Sequence, residues 1–303
     1  MKILIAGGTG LIGSALTRSL RADGHRVWWL TRDARGIQPR DGLSLAQWDG
    51  RTTQGWGGLV AEMDAVVNLA GTTIASWPWT AARKQQMLNS RVDAGLALSK
   101  AIEAASPRPQ VFVQASGVGY YGPCGNETVA EDARAGDDFF ADLAQEWEAS
   151  SRMVDALGVR RVVIRTAVVL AMEGGILPLM ALPARLFIGG RLGSGTQGFP
   201  WIHIDDEVRA IRFLLENPKA RGAFNLAAPN PVSSDGLLRR IAATLRRPYW
   251  LHVPDFALRL ALGEMSALLL TGQYAVPKRL IELDYTFKYQ QLGQALEALL
   301  LSS

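Results

Sequence analysis

One cysteine, Cys124, leaves the chain no partner for an internal disulfide, and three scattered histidines, His25, His203 and His252, have no cysteine neighbours at any familiar zinc spacing. No metal site is expected. Charge is not concentrated either. The formal net charge is only +4, and Arg32, Arg35, Arg40, Arg239, Arg240, Arg246 and Arg247 stand among acids rather than in a block. A nucleic-acid binder would show a basic stripe, so none is expected as a partner. The chain also lacks a long hydrophobic run. Its most apolar stretch near the C-terminus, 258–270, is broken by Gly263 and Glu264 and falls short of a membrane span. No basic, apolar and small-residue segment in the order of a secretion signal precedes the first strand. These absences predict a cytoplasmic protein in a reducing compartment, with a small-molecule substrate, no membrane partner and a homodimer as an option.

What is present is an apolar fraction of 48% over 303 residues, enough for a large buried core. Short β-branched runs alternate with helical patterns in the first half, the signature of βαβ units. The expected strands are 2–8, 26–32, 65–71, 111–116, 161–166 and 223–228. The expected helices are 11–24, about 80–104, 137–157 and 207–216. This predicts an α/β fold, a doubly wound parallel sheet, over 1–230. Gly and Pro become frequent at about 171–206, which reads as long loops on the substrate side. The remainder, 231–303, reads as a small, mainly helical C-terminal lobe.

The stretch GGTGLIG, 7–13, lies between the first strand and the first helix. Its glycines satisfy the dinucleotide fingerprint as Gly8, Gly10 and Gly13, or as Gly7, Gly10 and Gly13. There the missing side chains let a pyrophosphate reach backbone N–H groups at a helix N-terminus. The end of the second strand, where an acid would hold a ribose hydroxyl, reads Thr31-Arg32 instead. A guanidinium there pairs with a 2′-phosphate that a carboxylate would repel, so NADP(H) is favoured over NAD(H). The plain alternative is an Arg32 extending into solvent.

With that loop, the run Asp64-Ala-Val-Val-Asn68-Leu69-Ala70-Gly71 and the segment Trp201-Ile-His-Ile-Asp205-Asp206, the chain resembles an extended short-chain dehydrogenase/reductase. More narrowly it resembles the atypical subgroup called epimerase family proteins. It shares that subgroup's Asn89-Ser90-Arg91, SGVGYYG, FFADLAQEWE, GSGTQGFPWIHIDD and VPDFALRLALGEMSALLLTGQ blocks. The resemblance runs nearly end to end. It implies that Gly10, Leu11 and Ile12, with Gly7, line the pyrophosphate and Thr31-Arg32 the ribose phosphate. It further implies Leu69 and Ala70 beneath the cofactor, Gln86 and Arg91 reaching in from the next helix, and Val169 near the nicotinamide. For Arg91 there is a separate physical reason, since a helical Arg facing the loop can neutralise a pyrophosphate.

The resemblance also exposes a departure. In the superfamily a Tyr exchanges a proton with the substrate and a Lys four residues later lowers its pKa. Here those places hold Phe140 and Ala144. Phe140, Leu143 and Trp147 fall at helical spacing and are expected to bury one apolar face. The hydroxyls left nearby are Ser116, at a strand end, and Tyr120 and Tyr121 in the following loop, as catalytic groups or as ordinary packing. A free phenol with pKa near 10 is ionised about one part in a thousand at neutral pH, a handicap of about 4 kcal/mol for a base but none for an acid. An NADP(H)-dependent reduction of a small carbonyl or sugar-like compound is therefore favoured. The alternative is a non-catalytic NADPH-binding sensor. Asp205 or Asp206 is expected to cap the helix at Glu207, Asp49 to face the adenine or start a turn, and Cys124 to lack an activating base.

Overall fold

The computed structural model describes residues 1–35, 41–75 and 78–301; Arg40 lies outside them. Seven strands form one sheet: β1 (Lys2–Ala6), β2 (Arg26–Thr31), β3 (Leu43–Gln47), β4 (Ala65–Asn68), β5 (Val111–Gly117), β6 (Arg160–Thr166) and β7 (Gly222–Leu226). Their spatial order is β7-β6-β5-β4-β1-β2-β3 and every pairing is parallel. The order reverses between β1 and β4, the switch point beside which ligands bind in such sheets. Every residue of β4 is buried, because helices cover both faces of a parallel sheet and leave no solvated side.

One face packs under α1 (Leu11–Ala22) and α5 (Ile204–Glu216), where Ile3, Ile5, Leu16, Leu20, Val67 and Ile211 form a continuous core. The other packs under α2 (Ala81–Ala104), through Leu4, Val66, Phe112, Leu98 and Ile102. Thr80 starts α2 by accepting the Arg83 N–H. Among the described residues no helix is long and apolar enough to cross a membrane.

Several expected bounds shorten for local reasons. β1 ends at Ala6 because Gly7 takes φ +82°. β4 ends at Asn68, whose Oδ1 accepts the Ala70 N–H and turns the chain. The helix expected over 137–157 is α3 (Phe139–Ala149) followed by a 3-10 turn, Arg152–Leu157. Between them the Ser150 and Ser151 hydroxyls donate to the Trp147 and Glu148 carbonyls, offering the backbone an alternative to the helix ladder. The half-exposed edge strand β3 was not anticipated.

The 171–206 segment is less loop-like than expected. It contains α4 (Leu177–Arg185), which admits Pro178 in its first turn, and strand Gly189–Leu192. Leu177, Met180, Ala181 and Ala184 of α4 share a separate core with α6 (Ser234–Thr244) and the C-terminal helix Leu292–Leu300. Strand Tyr249–Val253 and helix α7 (Asp255–Leu262) follow α6.

The glycine turn is a steric necessity. A Cβ on Gly13 would sit 2.3 Å from the Gly7 carbonyl oxygen and 2.8 Å from Gly8 Cα. Gly13→Ala is expected to cost about 1–3 kcal/mol in urea unfolding. Gly58→Ala, where nothing lies within 4 Å, should stay within about 0.5 kcal/mol of wild type.

Candidate functional site

A cleft of about 950 Å³ opens at the carboxyl ends of β1, β2 and β4. Gly7, Gly10, Thr31, Arg32, Leu69, Ala70 and Gln86 of the expected set line it. Gly10 is the N-cap of α1 and no side chain caps that end, so the first N–H groups and the positive end of the helix dipole face the cleft. Gly7 lies against Leu69: a Cβ there would fall 2.5 Å from the Leu69 carbonyl oxygen. Arg32 is exposed and makes no ion pair among the described residues. The acid beside it, Asp33, is held on both carboxylate oxygens by Arg35, at 2.9 and 2.8 Å, and that bonding depresses its pKa.

Four expected residues stand off this wall. Leu11 and Val169 flank the Gly174–Gly175 turn, since a Cβ on Gly175 would meet Leu11 Cδ2 at 3.3 Å and the Val169 oxygen at 3.4 Å. Ile12 packs on the first core. Arg91 is 5% exposed and works from behind: its guanidinium donates to the Met87 and Thr72 carbonyls and lies 4.8 Å over the Trp147 ring. Burial first, and the charge of Arg83 second, lower its pKa to about 10. It thereby clips the Gly71-Thr72 wall to α2.

The cleft also gathers residues that were not foreseen, Thr9, Trp48, Arg51 and the α2 stripe Gln85, Asn89 and Asp93. A polar residue every fourth position on one helical face was the available signal. Asp49 lines the cleft and also starts a turn, accepting the Arg51 and Thr52 N–H groups, which hold its carboxyl at about 2.

Two of the three candidate hydroxyls, those of Ser116 and Tyr121, sit in one buried polar chain. Ser116 Oγ donates to Glu148 Oε1 at 2.8 Å. Arg165 grips both Glu148 oxygens, at 2.8 and 3.1 Å, and donates to the Tyr121 hydroxyl at 3.1 Å. Tyr121 in turn donates to Asn225 Oδ1 at 2.7 Å. Burial pushes the Tyr121 phenol up to about 12, against the opposing effect of Arg165. Tyr120 lends its ring face to the Arg165 guanidinium, 3.4 Å away, and its hydroxyl takes no hydrogen bond among the described residues.

α3 buries the face its periodicity suggests only in part, with Leu143 buried and Trp147 packed on the core. Ala141, Leu143 and Ala144 are buried, whereas Phe140 and Trp147 are half-exposed. Phe140 instead lines a second cavity of about 460 Å³, between Trp79, Phe139 and the C-terminal lobe.

On the far side, α5 begins at Ile204 rather than Glu207, and its cap is His203, whose Nδ1 accepts the Asp205 N–H at 3.0 Å. Burial lowers the His203 pKa, which keeps that nitrogen an acceptor. Asp206 is drawn elsewhere, accepting the Lys288 and Tyr289 N–H groups. Glu207 is fully buried, accepts only the Thr166 hydroxyl, and has an Oε2 without a partner. Cys124 donates to the Tyr121 and Gly122 carbonyls, and burial first of all raises its pKa, so it is a thiol and no nucleophile.

Comparison with known proteins places this geometry. The profile of the NAD dependent epimerase/dehydratase family matches residues 3–227, and a domain family of unknown function matches 253–299. Epimerase family protein YfhF of Bacillus subtilis is 38% identical, with 99% of this chain and 98% of that protein covered. Epimerase family protein SDR39U1 of Bos taurus is 37% identical, over 98% and 99% of the two chains. The crystal structure of human SDR39U1 with NADPH superposes with a TM-score of 0.86 at 34% identity, covering 99% of both chains.

Burial raises the Glu207 pKa from 4.5 to about 8. The folded state thus holds a proton that the unfolded chain releases. The stability this proton contributes is complete below pH 4.5 and is lost as pH rises toward about 8. Glu207→Gln should remove the dependence: relative to the variant, the wild type should lose about 1.4 kcal/mol per pH unit across that window. Urea midpoints from pH 5 to 8 check it, and parallel curves for the two proteins contradict it.

Proposed function

The chain belongs to the NAD dependent epimerase/dehydratase family, in the epimerase family proteins of extended short-chain dehydrogenase/reductase fold, and from that premise we propose that it binds NADPH and reduces a small carbonyl or sugar-like compound. The observation that carries the cofactor choice is the pairing of Asp33 with Arg35, which leaves Arg32 as the uncommitted charge at the end of β2. The residues fit the cofactor in three places. The uncapped α1 N-terminus takes the pyrophosphate, Arg32 and Thr31 take the ribose phosphate, and the Leu69-Ala70 wall supports the nicotinamide half. The human relative was crystallised with the same cofactor.

When bound, NADPH supplies a hydride to the substrate carbon. The protein's own task is to place the carbonyl and deliver one proton to its oxygen, so that the C=O becomes an alcohol. Ser116 and Tyr121 have their protons committed to Glu148 and Asn225, which leaves Tyr120 as the proposed donor. A phenol hydroxyl suits proton donation to a developing alkoxide. The commitment of Ser116 and Tyr121, with Phe140 and Ala144 at the superfamily's catalytic places, also favours a second reading, an NADPH-holding sensor.

Fluorescence titration is expected to show NADPH binding more tightly than NADH. Arg32→Ala should weaken NADPH by roughly ten- to a hundredfold, about 1.5–3 kcal/mol, and leave NADH unchanged. Equal affinities for the two dinucleotides defeat the assignment of Arg32. Tyr120→Phe should lower kcat about ten- to a hundredfold at unchanged NADPH affinity, within the usual worth of one proton-transfer group. Bound NADPH that no aldehyde, ketone or nucleotide sugar oxidises supports the sensor.

A further inference from the structure

The cavity of about 460 Å³ bordered by Phe140 falls in the size range of small-ligand sites and is walled by chemistry unlike that of a sugar pocket. Its floor is three rings in mutual contact: Trp79 to Phe140 at 5.4 Å, Trp79 to Phe139 at 5.8 Å, and Phe139 to Phe140 at 5.6 Å. The opposite wall is the 259–271 stretch of the lobe, with Ala267 and Leu270.

The polar groups of this wall are engaged within the protein. The Trp79 indole N–H donates to the Ile74 carbonyl at 3.0 Å. Asp138 Oδ1 caps α3 by accepting the Ala141 N–H, so that carboxylate faces the positive end of the helix. Lys84 pairs with Glu264. Ser266 and Thr271 donate to the Gly263 and Ala267 carbonyls. Arg259 is the exception, exposed at the rim and without an ion pair among the described residues.

A nucleotide sugar would set many hydroxyls against a wall of rings whose few polar groups already have partners within the protein, an unfavourable exchange for water. A flat ring gains the three aromatic faces instead, and a single anionic group on it meets Arg259. We propose that this cavity is the substrate subsite and that its ligand is a planar aromatic compound bearing one carboxylate. The proposal rests on the reductase reading above, which supplies the cofactor side, since Phe140 stands where the superfamily's proton donor meets its substrate.

Calorimetry on the NADPH-saturated protein tests it with 2-naphthoate, 2-naphthalenemethanol and UDP-glucose as probes. Naphthoate is expected to bind and UDP-glucose to give no heat. Arg259→Ala should weaken naphthoate about tenfold, the worth of one charge-assisted contact, and leave naphthalenemethanol within about twofold. Trp79→Ala should weaken both ring compounds by about tenfold or more. Should that variant fail to fold, Ala267→Trp, which fills the cavity from the lobe side, must abolish naphthoate binding. Binding of UDP-glucose without naphthoate, or naphthoate binding indifferent to both Trp79→Ala and Ala267→Trp, overturns the proposal. The naphthoate titration is repeated without cofactor. If NADPH does not bind the wild type, the cofactor reading falls alone, and that titration still decides the cavity.

Discussion

The bidentate contact between Glu148 and Arg165 is the constraint on which the rest of the site depends. It joins α3 to the carboxyl end of β6 across a nearly dry interface, with the arginine side chain 6% and the glutamate 13% exposed. Burial alone would discourage the guanidinium charge, yet the bonds to Glu148 and Tyr121 outweigh it and raise the Arg165 pKa. Losing either partner would strand a buried charge, at about 3–5 kcal/mol. Because the pair is held, everything bonded to it is held too: the Ser116 hydroxyl on one side, the two tyrosines on the other, and Asn225 beyond them. The same pair anchors the C-terminal end of α3, while the Asp138 cap fixes the other end. Phe139 and Phe140, in the first turn, are thereby presented to the second cavity.

Charge at the cleft is divided between acids held by their neighbours and two cations that are not ion-paired among the described residues. Arg91 is buried without a carboxylate partner among the described residues, and Arg32 faces the cleft while Asp33 is neutralised by its neighbour. A buried cation bonded only to carbonyls is costly in isolation and less so when an anion occupies the cleft it backs. The buried acid, Glu207, takes the opposite course and keeps its proton. It lies beside Thr166 at the end of β6. This second arrangement is a consequence of burial.

Local pattern carried much of this into the sequence. The glycine loop, the buried strands and the departure at Phe140 and Ala144 could be read directly, because each follows from neighbours within a few residues. What could not be read depends on distance. Asn225 lies 104 positions from Tyr121 and Arg165 17 from Glu148, and no periodicity links them, so the Ser116 and Tyr121 hydroxyls looked available when they were engaged. The spacing of Phe140, Leu143 and Trp147 announced an apolar face but could not say whether the protein core or a cavity would meet it. Proline and glycine around 171–206 suggested loops, yet Pro178 sits where an N–H is unneeded, and tertiary packing against α6 completes α4. Arg91 was legible as a cation near the glycine loop. Its route through the Thr72 carbonyl was not.

The absent Tyr and Lys are therefore not two substitutions deep. Ala144, at the lysine's place, is 4% exposed and faces the packed interior. A lysine there would bury an ammonium with no carboxylate free to receive it, because Glu148, one turn on, is bound on both oxygens by Arg165. A tyrosine at 140 would put its hydroxyl into the ring cluster of Trp79 and Phe139, where the polar groups are already engaged. The same packing that excludes a base from α3 creates the apolar cavity.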